Sequence, residues 1–276
     1  MIWQCPHCNH LLSLEKQSWR CSNGHSFDRA KEGYVNLLPV QQKRSREPGD
    51  SADMLAARRR FLDAGYYRPL AQAICAQLSV TTFGDRPLLL DIGCGEGYYA
   101  RTLVASGWEP ANIFGVDIAK AGVRLAAKRQ PQANFAVASS FHLPVADSSV
   151  DALLRVFAPG PAEELVRVLK PGGILLDVSP GPDHLWSLKS RLYETPQRHT
   201  APAAISGLES AGESRCQFDL NIHGNEAVRD FLAMTPFAWK GRTEARQSLE
   251  QQDGLQLEAD FLLRQFIKPA ADGILE

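Results

Sequence analysis

"LLLDIGCGEGYY", residues 88–99, decides the fold of this chain. A hydrophobic run closes on an acid, Asp91, and Gly93, Gly95 and Gly97 follow as the chain turns into the helix-like "GYYARTLVASG". Glycines permit the tight turn and let a ligand approach the backbone, whose N–H groups and helix N-terminus face the crevice at a sheet's carboxyl edge. Asp117 ends the next strand, "FGVD", about twenty residues on, where a carboxylate can hold ribose hydroxyls. The dinucleotide fingerprint G-x-G-x-x-G fits poorly, because the glycines here fall at every second position.

Outward from this loop the pattern repeats. "IFGVDI", "NFAVAS", "VDALLRVFA" and "GILLDVSP" read as further strands, separated by the helical stretches "AKAGVRLAAKR" and "AEELVRVL". Such alternation implies right-handed crossovers and a parallel, doubly wound α/β sheet. After the helix "HLWSLKSRLY", two late strands, "SRCQFDLNI" and "LQLEADFLLRQFI", flank a helix near 225–233 and bring the sheet to seven strands. Upstream, "SADMLAARRRFLDAG" predicts a helix with Ser51 as its N-cap and Gly65 near its stop, and "YYRPLAQAICAQL" a second.

The pattern D-x-G-x-G-x-G with a later strand-end acid resembles the class I S-adenosylmethionine-dependent methyltransferases over roughly residues 86–180, and "LKPGG" at 169–173 is similar to another recurrent stretch of that fold. The resemblance implies a Rossmann-like sheet in which Asp91, Gly93, Gly95 and Gly97 shape the cofactor pocket and Asp117 binds its ribose. Glu96 would meet the cofactor through backbone or carboxylate. Of Tyr98 and Tyr99 one is expected to pack as helix core, unless their aromatic faces sit near the sulfonium, an attraction of order 1 kcal/mol. Ser139 and Ser140 in "SSFHLP" follow the third strand, where the fold has an adenine contact, although an Asp common there is absent.

At the N-terminus, Cys5, Cys8, Cys21 and His25 follow C-x2-C, twelve residues, C-x3-H. Two such knuckles grip one ion in a tetrahedron of thiolates and imidazole, which leaves no open position for water. One structural Zn2+ is therefore expected, in a small zinc-binding domain that could scarcely fold on its own core. His7 and His10 are competing ligands that crowd the first knuckle. The domains are set at 1–37 for the zinc-binding module, 38–84 for a basic linker and helical segment, and 85–276 for the sheet domain.

Taken together, "CPHC", "AKEGYVNLLPVQ", "KRSREPGDS", "FLDAGYY", "LDIGCGEGYY", "VASSFHLP", "LKPGG", "PGPDHL" and "MTPFAW" resemble the bacterial 23S ribosomal RNA (guanine-N1)-methyltransferases across nearly the whole chain. That resemblance implies methylation of guanine N1 in a hairpin loop of 23S ribosomal RNA, with Tyr67 and His184 as further cofactor contacts; their alternative readings are helix packing and helix capping. Hairpin-loop bases are unstacked and turn into a pocket at little cost. Guanine N1 carries a proton that must leave; His184 and Asp183 are candidates for the base, and Phe157 in "VFAPG" for stacking on the guanine. The family divides into a housekeeping and a macrolide-resistance branch, and the linker stretches favour the former. A homodimer sharing the RNA site is a further expectation.

Charge fits an RNA partner better than the net value of −1 suggests: residues 1–70 hold eleven Lys/Arg against seven Asp/Glu, a balance of +4, which leaves −5 for the rest. Lys31, Lys43, Arg44, Arg46 and the run Arg58–Arg60 would meet phosphates, unless they are solvated faces of a linker and helix. A hydrophobic content of 44% and a charged content of 22% exclude wholesale disorder. No apolar run approaches the roughly 20 residues a membrane span needs. No basic leader precedes an apolar stretch, so the expected compartment is the cytoplasm. The rivals are a small-molecule methyltransferase of the quinone type and a non-catalytic RNA-binding protein retaining the fold.

Overall fold

The computed structural model describes residues 2–42, 49–200, 202–235 and 242–270. Lys43, Arg44 and Arg46, and Pro236 to Trp239 of "MTPFAW", lie outside the described residues. The chain opens with three short antiparallel strands, β1 (Ser13–Glu15), β2 (Ser18–Arg20) and β3 (Ser26–Asp28), which form their own small sheet. A two-residue strand, β4 (Val35–Asn36), follows, then α1 (Ala52–Asp63) and α2 (Arg68–Gln77). The Ser51 hydroxyl caps α1 by accepting from the Met54 N–H at 3.2 Å, and Gly65 turns the chain at φ 87°.

The large sheet then builds through β5 (Leu89–Ile92), α3 (Tyr98–Ala105), β6 (Ile113–Asp117), α4 (Lys120–Arg129), β7 (Asn134–Val137), β8 (Val150–Val156), α5 (Ala162–Val168) and β9 (Leu169–Pro180). It closes with α6 (Trp186–Leu192), β10 (Glu209–His223), α7 (Asn225–Ala233), α8 (Thr243–Glu250) and β11 (Gly254–Ile267). The strand order is β10-β11-β9-β8-β5-β6-β7-β4. All neighbours run parallel except β11, which is antiparallel to both β9 and β10. The central strand β5 has β6 on one side and β8 on the other, so the chain reverses its winding there. Ligands of doubly wound sheets bind at the carboxyl ends beside such a reversal.

The seven expected strands are present, and β4 is an eighth. It pairs with β7, Val35 opposite Ala136 and Asn36 opposite Val137, and the Leu37 N–H donates to the Val137 carbonyl at 2.9 Å. Two residues show no periodicity, which is why the sequence carries no signal for it. Helix α8 likewise has little apolar pattern to announce it; its polar "TEARQSLE" buries only Leu249.

The zinc-binding module is packed against the sheet. Ile2, Trp3, Cys5, Leu12, Trp19 and Cys21 share one apolar cluster with Ile92, Val116, Ala138 and Val145. Trp3 meets Phe114 edge-on at 5.3 Å. The backbone joins as well: Gln4 N–H donates to the Pro144 carbonyl at 2.8 Å, and Ala146 N–H to the Ile2 carbonyl at 2.9 Å. Segment 144–146 is the continuation of "SSFHLP", so the module holds the far end of the loop that carries Ser139.

Across β8, β9 and β11, buried Asp177 accepts from Arg155 Nε and from Arg264 Nη2, each at 2.7 Å. Arg264 also donates to the Pro202 and Ala203 carbonyls, which moors the loop after α6 to the antiparallel edge of the sheet. A buried carboxylate between two guanidiniums satisfies its charge only while both remain.

Candidate metal centre and cofactor crevice

Two knuckles bring the metal-ligand candidates together. Cys5 and Cys8 lie on a turn that Asn9, just after Cys8, closes at φ 59°, and Cys21 and His25 flank one turned by Gly24 at φ 83°. The Sγ atoms of Cys5, Cys8 and Cys21 lie 3.5, 3.5 and 3.4 Å from His25 Nδ1, and Cys8 and Cys21 Sγ lie 3.6 Å apart. A zinc tetrahedron with Zn–S of about 2.3 Å and Zn–N of about 2.0 Å has S–N edges of about 3.6 Å and S–S edges of about 3.8 Å. The four side chains thus fit one zinc ion, held through Nδ1 of the histidine. His10 is turned to the Cys8 carbonyl, and His7 stacks between His25 and Phe27, so neither joins the set.

At the carboxyl edge of the large sheet, Gly93, Gly95 and Gly97 take φ values of 75°, 53° and 81°, in the left-handed region that disfavours side chains. Two of them are also hemmed in: a Cβ on Gly93 would come within 2.5 Å of the Ala158 Cβ, and one on Gly97 within 2.9 Å of the Ala126 Cβ. Gly95 is less crowded: the nearest atom its Cβ would meet is Arg58 Nη1, in ordinary contact at 4.0 Å.

Asp91 is 1% exposed, and its Oδ2 has no hydrogen-bond partner. Burial, and then the charge of Asp117, push its carboxyl up to about 8. Asp117 accepts from the Gly95 N–H at 2.9 Å and the Ala119 N–H at 2.7 Å, and so fixes the loop. Burial raises its carboxyl too, against the pull of those two donors. A buried acid with one unpartnered oxygen, a second acid at the next strand end and a loop of left-handed glycines fit a cofactor that carries positive charge and a ribose.

The other expected contacts are distributed as follows. Glu96 is buried, with Oε2 accepting from Arg129 Nη1 at 2.6 Å, so its carboxylate is turned to α4 and only its backbone borders the loop's open side. Tyr98 is 8% exposed and packs edge-on against Tyr99, as the core reading had it. The Ser139 hydroxyl accepts from the Phe141 N–H at 3.2 Å, while Phe141 itself is 47% exposed. Tyr67 and His184 come together on a residue that sequence reasoning missed: the Phe261 ring lies 5.2 Å from Tyr67, 4.6 Å from His184 and 5.6 Å from Phe157. The signal for this region was an acid inside an apolar strand, Asp260 in "LEADFLL", which is 1% exposed.

Each candidate base already carries a hydrogen-bond or ion-pair partner. His184 Nδ1 accepts from the Asp260 N–H at 3.3 Å, which places the proton of a neutral ring on Nε2, and burial pulls its pKa down to about 3. It is a hydrogen-bond donor at Nε2. Asp183 is held by Arg198 and by Arg215, the latter at 3.4 Å. Phe157, at the end of β8, adopts φ 54° and is 47% exposed, a strained and open placement for an aromatic.

The basic run of α1 divides among three environments. Arg60 clasps Asp230 of α7 with both nitrogens, at 2.7 and 2.5 Å, and Arg58 pairs with Asp50 at 2.5 Å beside the crevice. Phosphate contact by Arg58 or Arg60 would therefore compete with these carboxylates.

Known proteins give these two centres a common setting. Residues 3–46 match the family model described as "RlmA, N-terminal", and residues 90–177 match "Methyltransferase domain". The 23S rRNA (guanine(748)-N(1))-methyltransferase of Streptomyces fradiae is 34% identical over 243 residues, covering 86% of this chain and 85% of its own. The chain belongs to the 23S rRNA (guanine-N1)-methyltransferases. A provisionally named member from Bacillus subtilis (strain 168) is 30% identical over 277 residues, covering 95% of this chain and 96% of its own. A solved structure of a SAM-dependent methyltransferase from Methanosarcina mazei shares 19% identity, with a TM-score of 0.43 over 68% of this chain and 95% of that one. As in the family model, the Cys5, Cys8, Cys21 and His25 cluster belongs to a zinc ribbon, and the sheet is that of a SAM-dependent methyltransferase. No helix among the described residues is long and apolar enough to cross a membrane.

Proposed function

We propose that this protein methylates N1 of a guanine in a hairpin loop of 23S ribosomal RNA, with S-adenosylmethionine as donor. The observation that carries this reading is identity to rRNA (guanine-N1)-methyltransferases over 86% to 95% of the chain, with a zinc-ribbon match at residues 3–46, rather than in the glycine loop alone. When bound, the cofactor supplies an electrophilic methyl on a sulfonium. Asp91, the backbone of Gly93 to Gly97, Asp117, Ser139, Tyr67 and His184 would hold it, and the chain's main catalytic contribution is alignment of the methyl carbon with guanine N1. In the transfer the N1–C bond would form as the methyl's C–S bond breaks, leaving a neutral thioether, and the N1 proton would pass to solvent. His184 Nε2–H serves as a donor in this site, and no side chain is assigned as the base.

Phe157 is proposed as the stacking platform for the target guanine, since its exposed ring stands at the end of β8 beside Ala158, which abuts Gly93. Base–aromatic stacking is worth about 1–3 kcal/mol. Phe157→Ala should therefore lower RNA affinity and single-turnover rate by about tenfold or more while leaving cofactor affinity unchanged. Full retention of both by the variant would remove the stacking role.

The housekeeping branch, a cytoplasmic location and a pair of copies sharing the hairpin belong to the same proposal. The deciding experiment incubates the protein with tritiated S-adenosylmethionine and 23S ribosomal RNA lacking modifications, then maps the label. Label at guanine N1 is expected, and its position assigns the branch. Label only in a lipid extract would favour a quinone-type methyltransferase, and no label would favour a non-catalytic RNA-binding protein.

A further inference from the structure

We propose that Arg58 is the cation that receives the carboxylate of the cofactor's methionine end, and that Asp50 is its counter-ion until the cofactor arrives. The inference rests on the cofactor placement given above and deepens it. S-adenosylmethionine brings two positive groups, a sulfonium and an ammonium, and one negative group, a carboxylate. Asp91 and Asp117 answer the cations and the ribose; the carboxylate needs a donor of opposite charge, and a guanidinium suits it because its planar fork matches two oxygens.

Around the loop, other arginines are already held. Arg129 bridges Glu96 and Asp63 at 2.6 and 2.7 Å, and Arg101 donates to Asp63 at 2.9 Å. Both pair with exposed Asp63 of α1, and Arg129 also with buried Glu96 of the loop. Arg58 of α1 instead stands against Gly95 and pairs with Asp50. Ala158 and Ala126 crowd the positions in front of Gly93 and Gly97, whereas the side chain that stands in front of Gly95 is Arg58, its Nη1 at contact distance of 4.0 Å from where a Cβ would be.

Asp50 is fixed on the same side. Gly49, at φ 88°, packs so closely on the strand end after β6 that a Cβ there would come within 2.8 Å of the Ala119 Cβ and 3.1 Å of Ile118 Cγ2. Ser51 then starts α1, which leaves Asp50 between the ribose-side strand end and Arg58. Its 2.5 Å pair with Arg58 is about 30% exposed on each side, open enough for a ligand carboxylate to take its place. Both charges are felt at Asp117, where Asp50 pushes the carboxyl up and Arg58 pulls it down.

Calorimetric titration of the full-length zinc-loaded protein separates the alternatives without RNA. S-adenosylhomocysteine carries the carboxylate; 5′-methylthioadenosine carries the same nucleoside without the amino-acid end. Arg58→Met should weaken S-adenosylhomocysteine by about tenfold to thirtyfold, with 5′-methylthioadenosine unchanged and the thermal midpoint near wild type. Arg58→Lys should recover part of the loss, and Asp50→Asn should tighten S-adenosylhomocysteine only. Equal weakening of both nucleosides by Arg58→Met, or no weakening of either, overturns the assignment. Wild-type protein that binds neither nucleoside overturns the cofactor placement itself, whereas a failure to methylate RNA with these affinities intact leaves Arg58's role standing.

Discussion

Protein stripped of zinc, or carrying Cys5→Ser, is expected to lose order from Ile2 through Asn36 and to lose cofactor affinity with it. The module's strands are three residues long, and β1 is exposed along its length, so they offer little apolar surface to offset chain entropy. Structural zinc contributes about 10–16 kcal/mol in comparable small modules. That exceeds what the remaining contacts of such a segment supply. The loss should spread because Ile2 and Gln4 are hydrogen-bonded to Ala146 and Pro144, and this segment continues the loop holding Ser139. Elemental analysis should give about one zinc per wild-type chain and less than about a tenth for the variant. Hydrogen exchange at the Gln4 and Ala146 amides should accelerate on chelation, and S-adenosylhomocysteine should bind more weakly. Metal-free protein with both amides still protected would show that packing alone holds the module, and would confine zinc to RNA recognition.

The sheet was legible because its signals are local. A buried parallel strand must be apolar on both faces, so "LLLDIG" and "IFGVDI" announce themselves, and a glycine-rich turn between strand and helix marks the crevice edge. The four metal ligands were legible for the same reason, since two knuckles can be recognised from spacing alone. Arg58 was not. Three consecutive arginines on a helix point in directions about 100° apart, and only the packed structure assigns Arg60 to Asp230 and Arg58 to Asp50. His184 was named from resemblance, but the hydrogen bond its Nδ1 accepts from the Asp260 N–H, seventy-six positions away in sequence, was not legible. Phe261 escaped notice because an aromatic in an apolar strand reads as core, which it is; its meeting with Tyr67, Phe157 and His184 is a property of the sheet order. β4 was too short to have a pattern at all.

Asp91→Asn should weaken S-adenosylhomocysteine by on the order of a hundredfold, the consequence of removing one partner from a buried charge pair worth about 3 kcal/mol, and should remove most of a pH dependence that wild type shows. In the cofactor-free protein the Asp91 carboxyl is pushed up to about 8, first by burial and then by Asp117. In the unfolded chain an aspartate titrates near about 4. Between those values the folded state keeps a proton that the unfolded state has lost, so this group makes the cofactor-free protein less stable as pH rises from about 4 to about 8. A cationic ligand reverses the preference and draws Asp91 into its ionised form. Binding at pH 7 should therefore release close to one proton, and affinity should rise with pH until it levels above about 8. Asp117, also raised by burial, adds to the same trend. Calorimetry in phosphate and in Tris reads this directly, since a released proton makes the observed enthalpy differ between buffers of different ionisation heat. Equal enthalpies in the two buffers would mean that Asp91 is already ionised without the cofactor, and its unpartnered Oδ2 would then have to be met by a fixed cation or water. In the Asp91→Asn variant the enthalpy difference should shrink to what Asp117 contributes, and the affinity should lose most of its slope with pH.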